Sequence, residues 1–249
     1  MPGRFETLGE WEPPGLARRV VTVYLPADHR ADGTRPALLL FDGQNVFDDT
    51  HSFAGGWFAH QAIDRLRPGA TDVPLVVGIP HGGERRVDEL VPWRMQQGGG
   101  GLGGLLDWVA STVLPEVRRR HGSRAGPLGA VLGGSSLGGL AALWGHLHHP
   151  EVFGGALSLS PSLWAAGRAI FRDAERFHRP AVSRIYLDCG GREAGGRMLP
   201  VVREMAVVLE AKGYSAAQLR FRPDARGQHN EKAWRRRLPG ALRFMFRRG

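Results

Sequence analysis

The hydrophobic residues of the chain fall into short continuous runs separated by longer stretches with helical periodicity. Seven of these runs, five to seven residues long and rich in Val, Leu and Ile, are typical of β-strands. Several lack any alternation with polar residues, as expected for strands that are buried on both faces of a parallel sheet. The predicted strands are 19–25, 36–41, 74–79, 128–132, 155–159, 184–189 and 218–222.

Between these runs, apolar residues recur every three or four positions, which is the spacing of amphipathic helices. The predicted helices are 57–66, 105–121, 136–148, 198–212 and 231–246. We expect a kink or a break at Pro115 and an interruption at Pro239, because proline lacks the N–H group and its ring clashes with the preceding turn. The segment 81–104 is glycine-rich and is predicted to be an irregular loop. The alternation predicts a single α/β domain over residues 1–249, with a mostly parallel central sheet and helices on both faces.

Composition and charge exclude several classes of function. No apolar run approaches the ~18 residues of a membrane span, and the first residues lack the apolar centre of a signal peptide, so we expect a cytoplasmic protein without membrane contact. The formal charge is +9, but 31 of the 33 basic residues are arginines scattered along the chain, which does not indicate nucleic-acid binding. Their densest run, Arg235 to Arg237, is expected to be a solvated helix face. The single cysteine, Cys189, has no partner for an internal disulfide.

Residues 131–140 contain the clearest chemical motif. Gly134, Ser136 and Gly138 form a G-x-S-x-G pattern that follows an apolar strand and precedes an amphipathic helix. This is the pattern of a nucleophile elbow, a tight turn whose flanking glycines leave room for an exposed serine. The start of the helix directs its N–H groups and positive dipole end towards the serine, where negative charge would develop. A glycine-rich turn without chemistry is the alternative.

A nucleophilic serine requires a base, and the base requires an orienting carboxylate. Beyond the histidines at the end of the elbow helix, only His178 and His229 follow it, and His178 lies in a charged stretch typical of a surface. His229, in the loop between the last strand and the last helix, is therefore the predicted base. For the acid, Glu193 ranks first because it lies in a loop just after a predicted strand. Asp188 lies within that strand and remains an alternative, and Asp224 ranks third.

Two backbone N–H groups are expected to bind the oxyanion that forms during the reaction. One belongs to Leu137, directly after Ser136, and the other to Gln44, in the turn after the second predicted strand. Asp42, in the same turn, is expected to brace the loop through hydrogen bonds. The histidines within 146–149 have no acidic partner at metal spacing and are expected to cap the helix end, so no metal or other cofactor is predicted.

These motifs resemble the putative-esterase branch of the α/β-hydrolases, which includes esterase D, enterochelin esterases, feruloyl and acetyl-xylan esterases, and mycolyl transferases. The resemblance is carried by residues 40–47, 133–140, 149–154, 157–164 and 227–234. It implies that Ser136 is the nucleophile and His229 the base. It also implies that Gln44 and Leu137 form the oxyanion hole, and that Glu193, three residues after the glycine that ends its strand, is the acid.

The resemblance implies a serine carboxylesterase that hydrolyses a small or medium ester through an acyl-serine intermediate. An acyltransferase that uses the same intermediate, and a non-catalytic relative that binds a ligand, stay open as alternatives. Trp57 and Trp164 follow motif loops and are expected either to line the acyl pocket or to pack in the core. The sequence leaves open the acyl and alcohol groups of the substrate and whether the chain forms a homo-oligomer.

Overall fold

The computed structural model describes residues 3–50, 52 and 55–248. An eight-stranded sheet forms its centre. In chain order, its strands are β1 (Arg4–Trp11), β2 (Arg19–Leu25), β3 (Ala37–Phe41), β4 (Leu75–Ile79), β5 (Ala130–Ser135), β6 (Gly155–Leu159), β7 (Arg184–Gly190) and β8 (Leu219–Asp224). Their order across the sheet is β1-β2-β4-β3-β5-β6-β7-β8. The β1–β2 and β2–β4 pairs are antiparallel and the others are parallel, so β3 to β8 end at the same edge of the sheet.

Helices cover both faces of this sheet. They are α1 (Ala59–Asp64), α2 (Arg86–Leu90), α3 (Leu102–Trp108), α4 (Leu114–His121), α5 (Leu137–His148), α6 (Ala165–Arg176), α7 (Met198–Ala211) and α8 (Glu231–Met245). Every residue of β3, β4, β5 and β6 is buried, as their uninterrupted hydrophobic runs predict. Alternate strand residues enter two hydrophobic clusters: one packs against helices α2 to α7, and the other packs against α1 and α8.

All seven predicted strands are present, and the predicted mostly parallel α/β architecture is confirmed. The eighth strand, β1, was missed because only Leu8 among its residues is buried, so it carries no hydrophobic pattern. Its position at the antiparallel edge of the sheet explains this exposure, since an edge strand has one neighbour and little cover.

The structure refines the predictions for one loop and two prolines. The segment 81–104 is not irregular throughout, because it contains all of α2 and the beginning of α3. At Pro115 the helix is irregular without ending, because a π-helical turn, Val109–Val113, joins α3 to α4 just before the proline. Pro239 lies inside α8 without interrupting it. The packing of Leu238 and Leu242, both fully buried, outweighs the lost hydrogen bond there.

His146 does not cap the end of α5, which corrects the expectation for the histidines within 146–149. Its side chain is fully buried, with Nδ1 2.7 Å from the Phe153 carbonyl oxygen and Nε2 2.7 Å from Ser183 Oγ. Ser183 Oγ in turn lies 2.9 Å from the Tyr214 hydroxyl. Burial lowers the pKa of His146 to about 4, so it is neutral in the core. Its hydrogen bond to Ser183 connects α5 to the segment just before β7. Only His149 occupies the C-cap position of α5.

Within the described ranges, no helix is long and apolar enough to cross a membrane.

Candidate active site

Ser136 occupies a sharp turn between β5 and α5. Its backbone angles are φ 55° and ψ −119°, a combination that residues with a side chain rarely adopt. Glycine is required next to it, since a Cβ atom at Gly134 would lie 2.5 Å from the carbonyl carbon of Gly138. The Ser136 N–H donates to the Leu159 carbonyl and the Ser136 carbonyl accepts from the Ser162 N–H, both at 3.0 Å. The end of β6 and the turn after it therefore hold the strained elbow in place.

Ser136, His229 and Glu193, which lie on three separate loops of the sequence, are joined by hydrogen bonds. Ser136 Oγ is 3.0 Å from His229 Nε2, and His229 Nδ1 is 2.9 Å from Glu193 Oε2. A carboxylate only accepts hydrogen bonds, so Nδ1 carries the proton and Nε2 is left to accept the serine proton. Both distances are those of hydrogen bonds, and the one from Ser136 to His229 lies within the range that proton transfer requires. The structure thus brings together the predicted nucleophile, base and acid.

Glu193 and His229 differ sharply in exposure. The Glu193 side chain is fully buried, whereas 33% of the His229 side chain is exposed. Burial acts to raise the pKa of Glu193, but hydrogen bonds from His229, the Ser160 hydroxyl and the Gly190 N–H outweigh it and hold the pKa below its ordinary value. Glu193 is therefore ionised at neutral pH, as required of a group that stabilises a positively charged imidazole.

The other two candidate acids lie elsewhere. Asp188 Oδ1 accepts the Ser160 N–H at 3.1 Å and Oδ2 is 3.2 Å from Arg237 Nε. Burial raises the pKa of Asp188 to about 7, although Arg237 and the Ser160 N–H lower it. The Asp224 carboxylate pairs with Arg236 on the surface of α8. The geometry therefore places Glu193, rather than either aspartate, against the His229 ring.

Ser162 is a hydroxyl beside Ser136 that the sequence analysis missed. Its Oγ lies 3.2 Å from Ser136 Oγ, and the residue is only 2% exposed. It can donate a hydrogen bond to the serine oxygen and so help to orient it. The available signal was its position, because Ser162 follows the carboxyl end of predicted strand 155–159, where parallel sheets carry their sites.

The turn after β3 lies against the elbow. A Cβ atom at Gly138 would be 3.2 Å from Asp42 Oδ2, so the two loops are in close contact. Asp42 adopts a left-handed conformation with φ 57°. Its carboxylate accepts two hydrogen bonds from Arg86, at 2.7 and 2.8 Å. The prediction that Asp42 braces this loop is confirmed by that pair.

The two predicted oxyanion donors lie in the first turns of helical segments, Gly43–Asn45 and α5, that follow these adjoining loops. Leu137 is the first residue of α5, so its N–H has no acceptor within that helix. The turn after β3 uses the N–H groups of Asn45 and Val46 in its own hydrogen bonds and leaves that of Gln44 outside them. The side-chain oxygen of Gln44 is a separate group, and it accepts a hydrogen bond from the His81 N–H at 3.4 Å.

The structure separates the two predicted pocket tryptophans. Trp57 is 3% exposed and packs in the cluster beneath α1 and α8, with its ring 6.3 Å from that of Trp234. Trp234 meets His229 edge to face, with ring centroids 5.0 Å apart. Trp57 thus lies in the core, and the Trp234 ring separates it from the His229 imidazole. Trp164, by contrast, is 57% exposed.

Trp164 lines an apolar groove of about 310 Å³ beside the predicted site residues. The remaining lining residues are Pro161, Leu163, Ala194, Arg197, Met198, Val201 and Val202. Pro161 and Leu163 flank Ser162, and Ala194 directly follows Glu193. The groove therefore lies between the turn after β6 and the start of α7. Among the described residues, no three His, Cys, Asp or Glu side chains are arranged to hold a metal ion.

Comparisons with known proteins bear on the family and the fold of the chain. YbbA of Bacillus subtilis, itself uncharacterised, is 25% identical over 247 residues, which cover 92% of both chains. The iron(III) salmochelin esterase of Escherichia coli is 36% identical over 151 residues, or 59% of this chain, which spans about a third (32%) of that enzyme. The siderophore hydrolase EstA of Aspergillus nidulans shares the fold, with a TM-score of 0.74 and 21% identity over 95% of this chain and 93% of its own.

The sequence model of the family described as "Putative esterase" matches residues 17–245, which is most of the chain and includes Ser136, Glu193 and His229. The chain therefore belongs to the putative esterase family, as an α/β-hydrolase of the carboxylesterase type.

Proposed function

We propose that Ser136 is the nucleophile of this esterase, His229 its general base and Glu193 the orienting acid. The observation that carries the proposal is the unbroken set of hydrogen bonds from Ser136 Oγ through the His229 ring to the buried Glu193 carboxylate. Each member has the environment that its role requires: a strained, accessible serine, a half-exposed imidazole and an ionised acid.

Acylation follows from these positions. His229 Nε2 takes the hydroxyl proton as Ser136 Oγ attacks the ester carbonyl, and the carbonyl oxygen becomes an oxyanion. The N–H groups of Gln44 and Leu137 are proposed to donate to this oxyanion, and each such donor contributes about 3 kcal/mol of transition-state stabilisation in serine hydrolases. The imidazolium then gives its proton to the leaving alcohol. Glu193 stays ionised throughout and stabilises the charged ring.

Deacylation reverses the roles. His229 removes a proton from a water molecule, the resulting hydroxide attacks the acyl-serine, and Ser136 regains its proton as the carboxylic acid leaves. The exposure of His229 favours water over a bound alcohol as acceptor, and so favours hydrolysis over the acyltransferase alternative. The intact triad geometry opposes a purely ligand-binding role.

Covalent labelling tests this proposal directly. A fluorophosphonate probe is expected to modify the wild-type protein at Ser136, and p-nitrophenyl acetate or butyrate is expected to release p-nitrophenol in a burst equal to the enzyme concentration. Peptide mapping of the adduct identifies the modified residue. A wild-type protein that is inert to the probe and to a panel of carboxylic esters would contradict the proposal.

We propose that the apolar groove bordered by Trp164 receives the acyl chain of the substrate. Trp164→Ala is expected to raise KM for p-nitrophenyl hexanoate about tenfold, equivalent to about 1.4 kcal/mol of lost contact, with a much smaller change for the acetate. The matched control is Val207→Ala, which removes an equally exposed apolar side chain (57%) outside the groove. Equal changes for both esters would show that Trp164 does not contact the acyl chain.

Trp57, which is buried, is proposed to support the site through Trp234 rather than to touch substrate.

Siderophore esters are the first natural substrates to try. One relative is named as a salmochelin esterase, although this chain spans only about a third of it. Arg197 lies at the groove, and Arg94 and Arg172 line a second depression on the other side of Trp164, so the surroundings favour an anionic substrate.

A cytoplasmic location is proposed because Cys189 is a buried free thiol, which is typical of proteins in reducing compartments.

A further inference from the structure

The second oxygen of Glu193 is held by a network that the reaction scheme does not use. Oε2 faces His229, whereas Oε1 accepts the Ser160 hydroxyl and the Gly190 N–H, both at 2.7 Å. Ser160 is a node of this network, because its Oγ also accepts Trp234 Nε1 at 3.0 Å and Arg237 Nη2 at 2.7 Å. The orientation of the triad acid therefore depends on groups in α8.

Arg237 supplies a permanent positive charge to this network and is 9% exposed. Both of its terminal nitrogens lie 3.4 Å from Glu193 Oε1. Its Nε lies 3.2 Å from Asp188 Oδ2, which is an ion pair without the alignment of a hydrogen bond. One guanidinium thus lies between two carboxylates whose side chains are fully buried, on adjoining parts of β7 and the loop after it.

Two buried carboxylates this close cannot both be ionised unless a positive charge compensates them. We propose that Arg237 is a positioning residue of the esterase: it neutralises Asp188 and orients Glu193 through Ser160, so that Glu193 stays an ionised acceptor for His229. Arg237 touches neither substrate nor reacting atoms, and it acts only through the triad acid. The inference rests on the proposed roles of Glu193 and His229.

The charge balance of the cluster explains why such a cation is needed. With a neutral imidazole and both carboxylates ionised, Asp188, Glu193 and Arg237 together carry one net negative charge, and the imidazolium formed during the reaction cancels it. Without Arg237, the second buried carboxylate is uncompensated, so Asp188 and the Glu193–His229 pair would compete for a proton and each would bind it more tightly. The titratable and charged groups around this cluster are Cys189 and Arg237, which interact with both carboxylates, and Tyr186 and Asp224, which interact with Asp188, while Arg222 acts on Tyr186.

The pH dependence of kcat/KM tests the proposal, because its acid limb reports the proton that the Glu193–His229 pair takes up. Arg237→Met is expected to lower kcat and to move the midpoint of that limb upward by roughly one to two pH units. Adding Asp188→Asn to this variant removes the uncompensated carboxylate and is expected to return the midpoint most of the way. Asp188→Asn alone leaves an excess positive charge and is expected to move the midpoint downward.

Matched variants separate this role from a structural one. Arg236→Met removes the neighbouring arginine, whose side chain is 62% exposed and pairs with Asp224, and is expected to leave the profile unchanged. Arg237→Lys keeps the charge without the planar fork, so it is expected to retain the wild-type midpoint at a reduced kcat. A folded Arg237→Met with the wild-type midpoint would overturn the proposal. If that variant does not fold, identical midpoints for Asp188→Asn and the double variant would overturn it.

A second readout does not depend on ester turnover. The His229 Cε1 signal of protein labelled with ¹³C-histidine can be titrated by NMR in wild type, Arg237→Met and the double variant. The midpoint is expected to be highest in Arg237→Met and to return towards the wild-type value in the double variant. Equal midpoints in the three proteins would overturn the proposal even where a variant is inactive. Failure of the proposed function would instead appear as a wild-type protein without ester turnover or fluorophosphonate labelling.

Discussion

Ser136→Ala is expected to lower kcat/KM for p-nitrophenyl butyrate by roughly four to six orders of magnitude, since removal of a triad serine leaves only the oxyanion hole and substrate binding. The variant should also lose the burst and the fluorophosphonate adduct. Alanine keeps the Cβ atom and the strained backbone angles of the elbow, φ 55° and ψ −119°. The melting temperature should therefore stay close to that of the wild type, which makes the loss attributable to the hydroxyl.

The neighbouring serine provides the control for this experiment. Ser135, at the end of β5, is buried and takes no part in the hydrogen bonds from Ser136 to Glu193. Ser135→Ala removes the same atom one residue away and is expected to keep most of the activity. Substantial turnover by Ser136→Ala, together with labelling at another residue, would show that a different nucleophile is at work.

The sequence locates Ser136 and His229 because local signals determine their positions. Gly134 is required by a turn that is sterically closed to any Cβ atom at this position, and a Cβ atom at Gly138 would make tight contacts, so the motif itself encodes the geometry. His229 follows the last strand of the sheet, and parallel strands end at a common edge. The fold class follows in the same way, from hydrophobic runs that report burial on both faces.

Glu193 and Asp188 could be ranked but not separated from the sequence, because their difference lies in the direction of a side chain. Both are fully buried, and both interact with Ser160. Only the turn after β7 directs Glu193 Oε2 to the imidazole. Trp57 and Trp164 posed the same problem, since both follow motif loops, and the three-dimensional packing buries one and exposes the other.

The run Arg235 to Arg237 shows why the supporting network escaped the sequence analysis. It was interpreted as a solvated helix face, and this is wrong for one of its three residues. Successive residues on a helix point about 100° apart, so neighbours with the same side chain meet different surroundings. Arg235 lies over the Phe58 ring, Arg236 pairs with Asp224 at the surface, and Arg237 is buried beside Glu193.

Glu193→Gln is expected to reduce kcat by roughly three to four orders of magnitude, because it fixes the wrong tautomer of His229. The Ser160 hydroxyl and the Gly190 N–H both donate to Oε1 of residue 193, so the glutamine oxygen should occupy that position. Its NH₂ group then faces His229 Nδ1 and donates to it. The ring proton moves to Nε2, which can no longer accept the proton of Ser136.

Asp188→Asn is the matched comparison, since it makes the same chemical change in the competing carboxylate. Asp188 has no contact with the His229 ring, so we expect kcat to fall by less than about tenfold, well below the effect of losing a triad acid. Steady-state kinetics of both variants, alongside their melting temperatures, distinguish the two carboxylates. A larger loss for Asp188→Asn than for Glu193→Gln, at comparable stability, would transfer the role of acid to Asp188, because only the group that fixes the tautomer of His229 can control the rate to that degree.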